Sequence, residues 1–285
     1  MISFNGSLYR YEIDKNLFVA EHHYQSEVNN PLNFCVIKEN HIVLKVLYGE
    51  YFWNEKKGPV SIFCRENNKW TKVYTFPEKS ITHIHNIIFD DIRNVYFILT
   101  GDLNEESGVW VADLNFERVK PLLLGQQRFR SCVAFPTRKG LLYATDTPLE
   151  KNYIYEVCID SNMNVSEINS ISELQGPCIY GTNYNNKFYF STSVEPDSTL
   201  SKWNYRFTNK LGKGVLSRYS YIVEVDHNCD VKTICSLKKD GFPMWLFQFG
   251  NIHFPENEMF PLMFTSQALR GGHNKTYILG GKNEE

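Results

Sequence analysis

No stretch of this chain approaches 18 consecutive apolar residues, so nothing in it reads as a membrane-crossing helix. It also lacks an excess of positive charge: 30 Lys and Arg stand against 32 Asp and Glu, for a net charge of −2. That balance argues against nucleic acid as a bulk electrostatic partner, since such proteins carry a basic stripe. The seven cysteines are odd in number and scattered, with no Cys-x-x-Cys. This argues against a disulfide scaffold of this size, and reduced, partly buried thiols in a cytosolic setting are the simpler reading. There is no phosphate-cradling glycine loop, no Gly-x-Ser-x-Gly elbow and no cysteine in a nucleophile's setting; Gly271-Gly272 and Gly280-Gly281 read as isolated turns. The opening Met1-Ile-Ser-Phe-Asn-Gly-Ser7 has neither the basic nor the apolar segment of a signal peptide. The expected location is therefore the cytoplasm.

What the chain has instead is aromatic residues and a repeat. Twenty Phe and 17 Tyr lift the aromatic share to 15%, which suits sheet surfaces. Along the chain an aromatic or aliphatic run stops at Thr plus a small or acidic residue. It occurs as Val95-Tyr-Phe-Ile-Leu-Thr-Gly-Asp102, Leu141-Leu-Tyr-Ala-Thr-Asp146, Phe188-Tyr-Phe-Ser-Thr-Ser193 and Pro261-Leu-Met-Phe-Thr-Ser266. A fainter copy is Val43-Leu-Lys-Val-Leu-Tyr-Gly-Glu50. Each copy leads to a second apolar run, an acidic or Asn-rich turn, and a further run. The turns begin at Glu66, Asp113, Asp160 and Asp226, spaced by 47, 47 and 66 residues. Asp and Asn suit such turns because they tolerate left-handed φ and bond their own backbone. The longer last interval places an insertion at about 195–218, a stretch without strand alternation.

A strand before each Thr phrase completes four short strands per unit, at roughly Asn33–Lys38, His83–Phe89, Arg130–Phe135, Cys178–Asn183 and Met244–Phe249. Four antiparallel strands in about 45 residues make a propeller blade. The expectation is an all-β, five-bladed β-propeller spanning 1–285 as one domain, with blades near 33–77, 82–124, 128–174, 176–238 and 243–280. Residues 7–21 would supply an N-terminal strand that closes the last blade; six blades follow if residues 1–32 form more of a blade. A β-sandwich would not produce copies at 47-residue spacing.

The strand–turn–strand endings, nearest in Glu66-Asn-Asn-Lys-Trp-Thr71 and Asp113-Leu-Asn-Phe-Glu117, resemble the Asp-box hairpins of sialidase-like (BNR-repeat) propellers. His83-Ile-His-Asn86, Thr100-Gly-Asp102 and Gly108-Val-Trp110 are similar to segments of sialidase-like proteins described as glycosyl hydrolases. The family's Phe/Tyr-Arg-Ile-Pro element, complete boxes and arginine triad have no residue-by-residue match here. The resemblance therefore implies a propeller and a carbohydrate ligand, a saccharide or sugar-derived small molecule, without assigning catalytic residues.

Ligands of propellers bind where the innermost strands and adjoining loops converge, so register within the repeat picks the candidates. His83 and His85 lie two apart on a strand and share a face. Arg128 and Arg130 replace them one repeat later, while Glu50, Asp102, Asp146 and Glu195 follow the second strands. The histidines fit three roles: bonds to neighbouring blades, a saccharide-facing pair, or ligands of a divalent metal; no other cofactor is indicated. Asp102 and Asp146 either cap turns or act as an acid–base pair. Arg128 and Arg130 either grip an anion or form salt bridges between blades. The 195–218 insertion holds five basic and two acidic residues plus Trp203, Tyr205 and Phe207. It reads as a ligand loop, an oligomer contact or a solvated excursion. Arg270 and His273 follow the last Thr phrase and would reach the same rim. The reading is a hydrolase or lyase acting on an anionic or nucleotide-linked sugar; the alternative is a non-catalytic propeller binding a glycan or a protein.

Overall fold

Alternating apolar residues and Asn- or Gly-centred turns produce antiparallel ladders throughout the chain. The computed structural model describes residues 1–24, 30–40, 42–255 and 262–279. Pro261 and the Gly280-Gly281 turn lie outside the described residues. The chain divides into two compact units, Met1–Arg130 and Ser131–Glu285.

The first unit holds three sheets. β1 (Ile2–Phe4), β2 (Ser7–Glu12) and β3 (Leu17–His23) pair in sequence order. β4 (Cys35–Glu39), β5 (Ile42–Gly49), β6 (Val60–Glu66) and β7 (Lys69–Phe76) form the second sheet. β8 (Ile84–Asp90), β9 (Val95–Thr100), β10 (Gly108–Ala112) and β11 (Val119–Leu124) form the third. The second unit repeats the pattern with β12 (Val133–Pro136), β13 (Gly140–Ala144), β14 (Asn152–Ile159) and β15 (Val165–Leu174). Its second sheet is β16 (Cys178–Tyr184), β17 (Lys187–Thr192), β18 (Tyr219–Val225) and β19 (Val231–Lys238). β20 (Asn251–His253), β21 (Met263–Gln267) and β22 (Lys275–Ile278) complete it. The fold is all-β, with six propeller-type blades, so the six-blade reading holds.

The Thr phrases are the second strands β5, β9, β13, β17 and β21, as the repeat requires. The sixth blade is N-terminal: Asn5 and Gly6, with φ of 46° and 75°, make the tight turn between β1 and β2. Residues 7–21 thus belong to a sheet of their own rather than to one added strand. Two expected first strands also differ. Arg128 lies in a single 3-10 turn, Gln127–Phe129, and the strand starts only at Val133. Met244–Phe247 forms a short helix, α2, started by Pro243 and stopped by Gln248 at φ 86°. The insertion holds α1 (Lys202–Phe207).

Each unit has its own core. In the first, Leu47, Ile62, Phe76, Ile84, Ile87 and Ile98 are buried together between the second and third sheets. Each such side chain contributes about 1.5–3 kcal/mol on leaving water. In the second, Tyr189, Ile222, Ile252 and Phe264 pack the fifth sheet on the sixth. All seven cysteines are free thiols. Among the described residues no helix is long and apolar enough to cross a membrane.

Candidate functional site

The first unit assembles a polar cluster at the start of β8 and the end of β9. β8 is drawn against β5 because Gly49 has no side chain: a Cβ there would lie 2.4 Å from the Ile84 side chain. The Ile84 amide donates to the Glu50 carbonyl at 3.0 Å. Opposite β9 the ladder skips His85, with Ile84 paired to Thr100 and Asn86 to Leu99. This β-bulge re-aims His85 beside His83, a frequent use of bulges near functional sites. Their Nε2 atoms are 3.0 Å apart.

Asp102 comes to the same point from the far end of β9. Gly101 (φ 144°) lets the chain turn there, where a Cβ would meet the Ser107 Cα at 2.9 Å. Asp102 Oδ2 lies 3.5 Å from His83 Nε2, and Oδ1 lies 3.4 Å from His85 Nε2. Arg130 Nη2 donates to Oδ1 at 2.9 Å. The histidines are buried, whereas the Asp102 side chain is 34% exposed, so solvent meets the cluster at the carboxylate. Tyr51 lays its ring 4.4 Å from that of His83.

Burial alone would raise the Asp102 carboxyl, but hydrogen bonds from both histidines and the Arg130 charge outweigh it and hold it well below the usual carboxylate range. Burial pushes the His85 imidazole down, against the opposing pull of Asp102. Asp102 is thus a carboxylate at neutral pH and His85 a neutral ring. This favours proton acceptance and charge stabilisation over proton donation by Asp102. Among the described residues, His83, His85 and Asp102 each bring one ligand-type atom within 4.8 Å of the others, a grouping that could hold a metal.

A fully buried carboxylate, Glu106, supports both sides of the cluster. It accepts the Thr82 hydroxyl at 2.6 Å and the Leu103 amide at 3.1 Å, and pairs with Lys57 at 3.1 Å. Thr82 precedes His83 and Leu103 follows Asp102, so one side chain ties the two arms together. Asn54 holds the Thr82 carbonyl at 3.0 Å, and Gln127 holds the Asp102 carbonyl at 2.8 Å. Sequence reasoning missed Glu106 and Tyr51. A Glu in a polar loop reads as solvent-facing, and only its position four residues after Asp102 offered a signal.

The other sequence candidates are placed elsewhere. Glu50 is buried and its carboxylate accepts the Ser61 amide at 2.7 Å, so it fastens β6 rather than facing a ligand. Burial raises its carboxyl, with the Ser61 hydrogen bond opposing. Arg128 lies on the 3-10 turn, exposed, with its guanidinium over the Phe129 ring at 4.9 Å, whereas Arg130 follows the turn and pairs with Asp102.

Asp146, Glu195, Trp203, Arg270 and His273 belong to the second unit. Asp146 is buried and accepts the Cys132 thiol at 3.3 Å, while Glu195 accepts the Ser193 hydroxyl. Trp203 is 70% exposed on α1; the Arg206 guanidinium lies 5.6 Å from its ring and 4.9 Å from that of Trp245. Arg270 and His273 line a cleft of about 500 Å³ with Phe242 and Phe247.

No protein-family model and no curated protein matches the chain. Solved structures do. Hydrazine synthase of Kuenenia stuttgartiensis superposes over 83% of this chain and 61% of its own, with a TM-score of 0.50 and 11% identity. An auxiliary nutrient binding protein from Bacteroides thetaiotaomicron covers 90% of this chain and 58% of its own, at 0.48 and 9%. A GH43 β-xylosidase/α-arabinofuranosidase from a compost microbial metagenome, in complex with xylotriose, covers 90% and 95%, at 0.43 and 12%. The chain spans about three fifths of the first two. At these identities the likeness extends to the propeller fold and no further.

Proposed function

We propose that the protein is a carbohydrate-active propeller whose working site is the His83–His85–Asp102–Arg130 cluster, and that its ligand is an anionic or nucleotide-linked sugar. The observation that carries this reading is the convergence of two buried imidazoles and an arginine on one partly open carboxylate. Structural histidines are normally satisfied singly by backbone or neighbouring side chains; two whose Nε2 atoms meet at an open carboxylate are arranged for a ligand. In the hydrolase- or lyase-type chemistry proposed here, Arg130 holds the anionic group of the ligand. Asp102, kept ionised, stabilises developing positive charge or orients an imidazole, and the histidines move the proton. The Tyr51 ring offers a face for stacking against a sugar.

The test is calorimetric titration of a panel of neutral and anionic oligosaccharides and nucleotide sugars. Binding of anionic members is expected, weakened tenfold or more by Arg130→Gln and by His85→Ala, because each variant leaves a buried polar partner unmatched. Equal binding of neutral and anionic members, or affinities unmoved by both substitutions, would reject the reading. The exposed Trp203 and Trp245 rings about Arg206 favour a second reading, a non-catalytic glycan- or protein-binding surface. Binding without turnover, lost in Trp203→Ala and retained in Arg130→Gln, would select it.

A further inference from the structure

The same cluster supports a more specific assignment, which rests on its being a ligand site at all. We infer that His83, His85 and Asp102 bind a divalent first-row transition ion, with Zn2+ the closest fit. The spacing of the three side chains is compact enough for one ion. Nitrogen and oxygen ligands sit ~2.0–2.1 Å from such an ion, so neighbouring ligands about 90–110° apart are separated by roughly 3.0–3.4 Å. The two Nε2 atoms are 3.0 Å apart, and they face different oxygens of the Asp102 carboxylate, His83 at 3.5 Å from Oδ2 and His85 at 3.4 Å from Oδ1; one ligand atom from each residue lies within 4.8 Å of the others.

The orientation of the groups agrees. His83 Nδ1 faces the Phe52 carbonyl at 3.3 Å, and a carbonyl can only accept, so a hydrogen bond there is given by an Nδ1–H. Its Nε2 is then the atom turned toward His85 Nε2 and the Asp102 carboxylate. A cation at their centre satisfies all three at once. The Nδ1–H to carbonyl bond is also the usual way a ligating histidine is oriented, and Arg130 on Asp102 Oδ1 is the matching support for a ligating carboxylate.

Ligand type and access fit the same ion. Two imidazoles with one carboxylate suit Zn2+, Mn2+, Fe2+ or Co2+ better than Mg2+ or Ca2+, which prefer oxygen. Three protein ligands leave at least one position open, and the exposed side of Asp102 is where water or a ligand reaches it. Asp102 and Arg130 cancel in charge, so the ion would leave the site strongly positive, which matches an anionic ligand.

The experiment uses full-length protein without a histidine tag, stripped with a chelator and dialysed against Zn2+, with bound metal measured by mass spectrometry. One ion per chain is expected, with affinity lowered tenfold or more in Asp102→Asn and further in His83→Ala; Arg128→Gln retains it. Asp102→Asn keeps size and shape, and its thermal unfolding separates loss of ligand from loss of fold. Zn2+ raises the unfolding midpoint of the wild type but not of this variant. Co2+ substitution should give visible absorption bands that vanish in His85→Ala. Substoichiometric metal in the wild type, or equal retention by His83→Ala and Asp102→Asn, would overturn the inference. Saccharide binding by metal-free protein that takes up no ion would overturn it while leaving the saccharide reading intact. Stoichiometric metal with no saccharide binding would do the reverse.

Discussion

At the scale of single residues, the site depends on a carboxylate that meets no ligand. Glu106 is fully buried, and its oxygens serve Thr82, Leu103 and Lys57, the flanks of the two arms that carry His83 and Asp102. Replacing it by Gln keeps an oxygen acceptor for Thr82 and Leu103 but turns an amide toward Lys57 and leaves that ammonium with the exposed Glu105, 3.0 Å away, as its charged partner. Breaking one member of a buried charged network costs about 2–4 kcal/mol. Glu106→Gln should therefore lower the denaturant midpoint by that equivalent, with an unchanged m-value. Because the same bonds fix the spacing of the two arms, it should also weaken Zn2+ uptake, although Glu106 is not a ligand. An unshifted midpoint would show that the loop holds without it. None of this was legible in the chain. His83, His85, Asp102 and Arg130 could be picked from register alone, but the bulge that turns His85 toward His83 and the 3-10 turn at Gln127–Phe129 ahead of Arg130 are products of tertiary packing.

At the scale of elements, the recurring Thr has a shared job that explains why the repeat is visible. Thr100 Oγ1 accepts the Trp110 indole N–H at 3.0 Å, Thr145 Oγ1 accepts the Tyr153 amide at 2.9 Å, and Thr192 Oγ1 accepts the Tyr221 amide at 2.9 Å. In each case the hydroxyl ties the end of a second strand to the third. The acidic turns are equally mechanical: Asp113, Asp160 and Asp226 each accept the amides two and four residues on, at 2.8–3.2 Å. Glu66 makes no such loop, and Asn67 and Asn68 at φ of 49° and 62° turn the chain instead. The N-terminal blade lacks the Thr phrase, which is why counting phrases gave five blades. The insertion is anchored by a residue the sequence did not single out. Asn152, fully buried at the start of β14, accepts from Thr145 and the Thr147 amide and donates to the Thr147 and Gly214 carbonyls. Asn152→Ala strips these partners and should cost about 2–4 kcal/mol. With Gly214 released, limited proteolysis should cut first within 195–218, and a cleavage pattern identical to wild type would show that other contacts hold the insertion.

At the scale of the whole molecule, a net charge of −2 gives little long-range field, so the pH dependence of stability falls to particular ion pairs. The pair best placed to couple blades lies in the first unit. Glu21 on β3 accepts from Arg65 on β6 at 2.6 and 2.8 Å, and from Arg10 on β2 at 2.6 Å. Burial pushes the Glu21 carboxyl up, but the Arg65 and Arg10 hydrogen bonds and charges outweigh it, leaving it below its ordinary value of 4.5. A carboxyl depressed in the folded state binds fewer protons there than in the unfolded chain. Its contribution is therefore complete above pH 4.5 and is lost as pH falls through the lower folded value. Glu21→Gln should remove that contribution, on the order of 1 kcal/mol given partial solvent screening, while keeping the side chain's size. Urea unfolding of the two proteins from pH 7 down to pH 3 provides the measurement. The wild type should lead at neutral pH and the gap should close in the acid range, because both proteins then carry a neutral group facing the same two arginines. A gap that stayed constant, or widened, as pH fell would mean that Glu21 stabilises the blades by packing alone. The linkage of blades one and two would then have to be sought in the apolar contact of Leu8 with Tyr48 and Phe63.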